Sequence, residues 1–163
     1  MTQSTSQGGA HDAQPHPLLD EWMRLTREGL AASQACCARH ALVWHVRALR
    51  AANQLLASGE TDVCDDDRIA AFIVAHLNIA DCYADMDDPH SAAECLICAH
   101  HKLMALLHGG EISESLQIAA SRHLQQTYAA LCEHRAAHGA HSLIDKALSE
   151  CRAHMPQPGA LLH

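Results

Sequence analysis

The apolar positions of this chain recur at helical spacing, and one stretch occurs twice. Residues 75–86 (AHLNIADCYADM) align without a gap to residues 120–131 (ASRHLQQTYAAL). In this alignment Ile79 matches Leu124 and Tyr83 matches Tyr128. Apolar residues three and four positions apart are typical of an amphipathic helix. The sequence therefore predicts that one type of helix is used at least twice.

A second helix type is indicated by pairs of alanines seven positions apart. Three such pairs occur along the chain: Ala41 and Ala48, Ala92 and Ala99, and Ala140 and Ala147. A small residue every two turns lets a neighbouring helix approach closely. Two helix types in alternation predict an all-α fold of three antiparallel helical hairpins, about six helices in all, in which each hairpin buries its apolar face on the next.

Start and stop signals divide the chain into these helices. The sharpest is Asp88 with Pro89, an N-cap followed by proline at the first helical position. The helices are predicted at about residues 17–38, 40–57, 67–86, 89–108, 113–137 and 141–154. No glycine or proline separates the first two, so residues 18–57 are either two helices or one kinked helix. The acidic connector, residues 60–67, is expected to cap the third helix with its carboxylates.

Composition supports one helical domain. Of the 163 residues, 48% are hydrophobic but only 3% are aromatic, and alanine and leucine, which dominate the apolar residues, favour helix over strand. The length suits a single core. We expect a helical-repeat domain over residues 18–155, between a disordered polar tail at residues 1–17 and a frayed tail at residues 156–163.

Charge and hydropathy exclude several classes of function. A net charge of -8 with only 11 lysines and arginines argues against a nucleic-acid partner, which needs a basic face. No apolar stretch approaches the roughly 20 residues of a membrane helix, and the first residues do not resemble a secretory signal. We expect a soluble cytoplasmic protein with reduced cysteines, no cofactor and no membrane association. The sequence leaves a homodimer open.

Residues 73–104 resemble a tetratricopeptide repeat, through Ile79, Ala80, Tyr83, Asp87, Ala92, Leu96 and Ala99. Residues 20–57 match less well, through Trp22, Leu25, Gly29, Ala41, His45 and Ala48, and so do residues 113–154, through Leu124, Tyr128, Ala140, Ile144 and Ala147. The weaker units carry three extra residues in the turn, and the units are about 50 residues apart instead of ~34. The resemblance implies a superhelix of stacked hairpins. The alternative is an alanine-rich six-helix bundle.

The resemblance also implies a concave groove lined by the first helix of each unit. The residues at the matching positions are Met23, Arg24, Arg27, Leu77, Asn78, Asp81, Arg122, His123 and Gln126. Asn78 stands where many such repeats place an asparagine that binds a peptide backbone or carboxylate, and the arginines would hold acidic side chains. The resemblance thus implies an adaptor, chaperone or regulator that binds an acidic or carboxylate-ended segment. Alternatively, the arginines only solvate exposed helix faces.

The 15 histidines and 8 cysteines suggest a second hypothesis, the handling or sensing of zinc or copper. Cys95, Cys98 and His101 fall on one arc of the fourth helix, and His134 and His138 are four positions apart on the fifth. A further ligand would have to come from another helix, with Cys82 and Cys132 as candidates. Because Cys95 and Cys98 lie in mid-helix, the alternative is that they are buried structural thiols.

Two other groupings do not complete a site. Cys36 and Cys37 precede His40 at nucleophile-and-base spacing, but no oxyanion turn or orienting acid follows, so no enzyme activity is predicted. The acidic run at residues 62–67 lacks the alternating ligands and central glycine of a calcium loop.

Overall fold

A computed structural model describes residues 16–59, 62–110 and 112–154. These residues form six α-helices and no β-strand, which confirms the predicted all-α class. The helices are α1 (Pro17–Gln34), α2 (Ala38–Ala57), α3 (Asp65–Asp85), α4 (Pro89–His108), α5 (Glu114–His138) and α6 (Ser142–His154). The tails predicted before residue 16 and after residue 155 lie outside the described residues.

Each helix packs against the next along the chain, and α3 lies at the centre. It contacts α2, α4 and α5, while α6 packs on α4 and α5. The two copies of the repeated stretch, on α3 and α5, therefore lie side by side. One apolar core forms around Leu55, Ile73 and Leu103, and a second forms around Leu131 and Ile144.

Left-handed residues make the three tight turns between paired helices. Cys36 has φ 57°, Asp87 has φ 59° and Gly139 has φ 86°. The first of these settles how residues 18–57 are arranged: they form two helices, and α1 ends at Gln34 instead of about residue 38. This helix end is not predictable from the residue types, because a cysteine in the left-handed region carries none of the usual glycine or asparagine signal.

The start of α3 also differs from the prediction. The helix begins at Asp65, not Asp67, and its N-cap is Cys64, whose Sγ accepts a hydrogen bond from the Asp67 N–H at 3.4 Å. The neighbouring carboxylates lie in the first turn, where they complement the positive end of the helix dipole. The expected carboxylate cap is therefore wrong, and a thiol takes its place.

A buried arginine joins α2 to α3. Arg68 donates hydrogen bonds to the backbone carbonyls of Leu55, Leu56 and Ser58, and its guanidinium pairs with the Asp65 carboxylate. The carbonyls at the end of α2 have no partner within their own helix. Arg68 supplies that partner and holds the two helix ends together.

Two of the three alanine pairs pack as expected. Ala41, Ala48, Ala92 and Ala99 are buried between helices. In the third unit Ala140 is exposed and precedes α6, so its predicted role is wrong. The reason is that α5 continues ten residues past Tyr128, whereas α3 continues only two past Tyr83. Ile144 lies five residues after Gly139, as Ala92 does after Asp87, and it is fully buried.

Candidate peptide-binding groove

A groove runs between α3 and α5, with α4 beneath it. It encloses about 500 Å³ and is lined by Leu77, Ala80, Asp81, Ala84, Ala92, Leu96, Gln126, Ala129, Ala130, Glu133, His134, Ala137 and His138. We refer to it as the α3–α5 groove. Six of its lining residues are alanines, which leave space where larger side chains would close the gap. The groove therefore offers a narrow apolar floor with carboxylates on its walls.

A second depression lies on the other side of α3, against α1 and α2. This α1–α3 cavity encloses about 300 Å³ and is lined by Leu30, Ser33, His45, Asn78, Asp81, Ala84 and Asp85. Asp81 and Ala84 line both depressions, so the two adjoin across α3. An extended segment crossing α3 would contact both.

Two polar atoms at the α1–α3 cavity are buried without a hydrogen-bond partner. They are Nδ2 of Asn78 and Nδ1 of His45, judged within the described part of the chain. A buried polar group left without a partner costs about 1–3 kcal/mol, so most such groups in proteins are satisfied. Because the Asn78 Nδ2 atom itself has almost no accessible surface, a polar ligand atom in the cavity would reach it once the side chain turns toward the opening.

Carboxylates set the charge of both depressions. Burial, with a further contribution from Asp85, raises the pKa of Asp81. Glu133 stands on the opposite wall of the α3–α5 groove. Among the described residues none of these three carboxylates is in an ion pair, and neither lining contains a lysine or arginine. A positively charged group would relieve the repulsion between them.

The structure brings together only part of the predicted groove. Leu77, Asp81 and Gln126 line the α3–α5 groove, and Asn78 lines the adjoining cavity. The three residues predicted from the first unit, Met23, Arg24 and Arg27, line neither depression. Arg24 instead pairs with Glu21 on its own helix, Nη2 to Oε1 at 2.8 Å.

Two of the three residues predicted from the third unit also lie elsewhere. Arg122 Nη1 lies 2.8 Å from Asp66 Oδ1, and His123 Nε2 lies 3.3 Å from the same oxygen, at the start of α3. The expected basic groove is therefore wrong. Acidic residues on the same or a neighbouring helix pair with Arg24 and Arg122, and the groove surface is left acidic.

Two of the lining carboxylates are absent from the prediction. Glu133 lies seven residues after Gln126, and Asp85 lies four after Asp81. Residues at these spacings share a helix face, so extending the predicted face along each helix finds both. The groove positions carried over from the shorter tetratricopeptide repeat do not reach Glu133, because α5 is longer than the first helix of such a repeat.

The cysteines predicted as metal ligands do not converge. Cys95 is half-buried, and burial raises its pKa to about 11, which disfavours the thiolate that a metal needs. Cys98 is exposed, and His101 faces Glu150 across 3.8 Å. In residues 16–59, 62–110 and 112–154 no three His, Cys, Asp or Glu side chains are arranged around a common metal position. His134 and His138 do contact each other, with ring centroids 4.5 Å apart.

Comparisons with known proteins give a family but no function. No helix in the described parts of the chain has the length and apolar character needed to cross a bilayer. Neither the curated proteins nor the solved structures contain a match to the chain. One family model, described as a protein of unknown function (DUF2753), matches residues 20–157, which include nearly all of the six helices. The chain therefore belongs to the DUF2753 family.

Proposed function

We propose that this chain is a helical-repeat module that binds a peptide or protein segment and acts as an adaptor, chaperone or regulator. The orphaned Nδ2 of Asn78 is the observation that carries the proposal. It lies at a cavity that adjoins the α3–α5 groove through Asp81. A backbone carbonyl of a bound segment would accept the missing hydrogen bond.

The tetratricopeptide-like interpretation belongs to this proposal. It is supported by the side-by-side packing of α3 and α5, and by the left-handed turn residues Cys36 and Asp87, each five residues before a buried alanine. In a repeat of this kind the first helices form the concave surface. Asn78 and Asp81 on α3 and Gln126 on α5 would occupy that surface here.

The charge of the groove indicates what kind of segment binds. Asp81, Asp85 and Glu133 face the two depressions, and the nearby arginines Arg24 and Arg122 are paired with Glu21 and Asp66. We therefore infer that the partner segment is basic, with small apolar residues against the alanine floor and lysine or arginine against the carboxylates. This replaces the acidic segment that the sequence suggested.

An array of synthetic peptides of known charge tests this proposal. The full chain is incubated with short peptides graded from strongly acidic to strongly basic. Three proteins are compared: wild type, the groove variant Asp81→Asn/Glu133→Gln, and the control Glu28→Gln/Glu114→Gln. Both variants lose two negative charges, but the control residues lie outside the groove and the adjoining cavity.

The proposal predicts that wild type and control select the same basic peptides, and that the groove variant binds them roughly tenfold or more weakly. Equal losses in both variants would mean that only net charge attracts the peptides. Selection of acidic peptides that are lost on Arg122→Glu would overturn the inferred basic segment and restore the acidic one.

A further inference from the structure

Four histidines meet at one end of the molecule, and three parts of the chain supply them. His90 lies in the first turn of α4, His134 and His138 belong to the last turns of α5, and His141 lies in the turn before α6. We call these four residues the histidine cluster. They line a small cavity of about 140 Å³, next to Gly139. The extra length of α5 brings its two histidines level with the start of α4.

Two imidazole nitrogens of the histidine cluster are separated by about the distance expected between two ligands of one metal ion. His141 Nε2 lies 3.4 Å from His90 Nδ1. Two imidazole nitrogens bound to one zinc ion at about 2.0–2.1 Å in tetrahedral geometry lie about 3.3–3.4 Å apart. A direct hydrogen bond between two rings would ordinarily be shorter. The two rings therefore make a long hydrogen bond, and the same separation would also fit an ion held between the two nitrogens.

A carboxylate lies beside the first ring. Glu94 Oε1 is 3.6 Å from His90 Nε2, the nitrogen that faces away from His141. When Nε2 carries the proton toward Glu94, Nδ1 presents its lone pair to the cavity. At 3.6 Å this contact is longer than a hydrogen bond, and the carboxylate would move slightly closer to form the carboxylate–histidine–metal arrangement that is common around zinc.

We propose that the histidine cluster binds one divalent transition-metal ion of the zinc class, with His90 Nδ1 and His141 Nε2 as the first two ligands. As the rings stand, no three of them share one metal position, so the third imidazole has to come from His138, whose exposed side chain lines the same cavity and would turn toward the ion on binding. Water completes the tetrahedron, and the cavity has room for the ion and its water. This site adjoins the proposed peptide groove, because His134 and His138 line both cavities, but His90 and His141 line only the histidine cluster.

Imidazole ligands select the class of ion. Neutral nitrogen donors suit zinc, copper and nickel, whereas magnesium and calcium prefer oxygen. Zinc is therefore the probe, and magnesium is the comparison. The rest of the chain provides a matched control, because His108 and His154 also form a ring pair, with centroids 4.4 Å apart, at a distance from the cluster.

The experiment titrates zinc into the full chain, purified without an affinity tag and stripped with a chelator, and measures affinity by calorimetry. His90→Ala and His141→Ala are compared with the control His108→Ala/His154→Ala. We expect one zinc per chain, affinity reduced roughly ten- to hundredfold in each cluster variant, and no change in the control. Magnesium should give no heat of binding.

Nitrogen-detected NMR of the imidazole rings provides a second readout that does not depend on a variant folding. Zinc should shift the resonances of His90 and His141 before those of other histidines. Any of three results would overturn the proposal: affinity that falls equally in the control, zinc that shifts no cluster histidine first, or no zinc binding by wild type.

Discussion

Gly29 on α1 lies directly against the ring of His45 on α2: a Cβ added to Gly29 would stand 2.4 Å from His45 Cε1. Both residues are buried, and His45 is almost completely enclosed. Real Cβ atoms essentially never approach another heavy atom so closely. The absence of a side chain at Gly29 therefore sets the distance between the first two helices.

From this contact we predict the sign of the stability change caused by Gly29→Ala. Replacing glycine with alanine inside a helix normally stabilises it by about 1 kcal/mol. Gly29→Ala should instead destabilise the protein by roughly 1–3 kcal/mol, because the His45 ring must move within a packed interface. Denaturant unfolding measures the change. The control is Gly59→Ala, where a Cβ would meet nothing within 4 Å, and stabilisation by Gly29→Ala would contradict the observed packing.

Arg68 supports a second stability prediction. Its guanidinium is the shared partner of three carbonyls at the end of α2 and of Asp65 on α3. Arg68→Ala should cost roughly 3 kcal/mol, because it leaves those buried groups unsatisfied. Arg50→Ala, at an exposed position on α2, should change stability by less than about 0.5 kcal/mol. Equal effects of the two substitutions in urea unfolding would count against this role of Arg68.

Buried histidines should make stability depend on pH. His100 is fully buried, and its Nδ1 lies 2.8 Å from Thr127 Oγ1, which itself donates to the Leu124 carbonyl. His100 therefore donates through Nδ1–H, and its Nε2 is buried with no partner in the described residues. Burial, with a smaller effect of His101, lowers the pKa of His100 from 6.5 to about 4.

Because the folded-state pKa lies below the unfolded one, the unfolded chain takes up the proton first as pH falls. The stability contribution is complete above pH 6.5 and is lost progressively towards pH 4. From this histidine alone, the free energy of unfolding should fall by roughly 2 kcal/mol between about pH 7 and pH 5. His100→Asn should reduce that fall, whereas His40→Asn, at an exposed ring, should not. An unaltered pH dependence in His100→Asn would contradict this assignment.

Much of the fold is local enough to be predicted from the sequence. The start of α4 at Asp88 and Pro89 is predictable because a side-chain cap and a proline act within one turn, and Asp88 does accept from the Ser91 N–H at 3.1 Å. The break at Cys36 is not predictable, since a cysteine in the left-handed region carries none of the usual glycine or asparagine signal. The misassigned Ala140 has a different cause, because the length of α5 depends on contacts with α4.

Less of the candidate site than of the fold could be predicted from the sequence. The tetratricopeptide resemblance implies that Asn78, Asp81 and Gln126 face a groove, and those residues do line the groove or its adjoining cavity. The charge of the groove does not follow, because Arg122 pairs with Asp66, 56 positions away in sequence. Ion pairs between distant residues depend on tertiary packing that a repeat pattern does not encode.

One affinity measurement tests most directly whether Asn78 binds the backbone of a partner segment. A basic peptide selected on the array is titrated into wild type, Asn78→Ala and the control Asn53→Ala, which changes an exposed asparagine on α2. We expect affinity reduced roughly three- to tenfold by Asn78→Ala, the value of one hydrogen bond, and unchanged by Asn53→Ala. Equal affinity of all three proteins for the peptide would contradict the proposed role of Asn78.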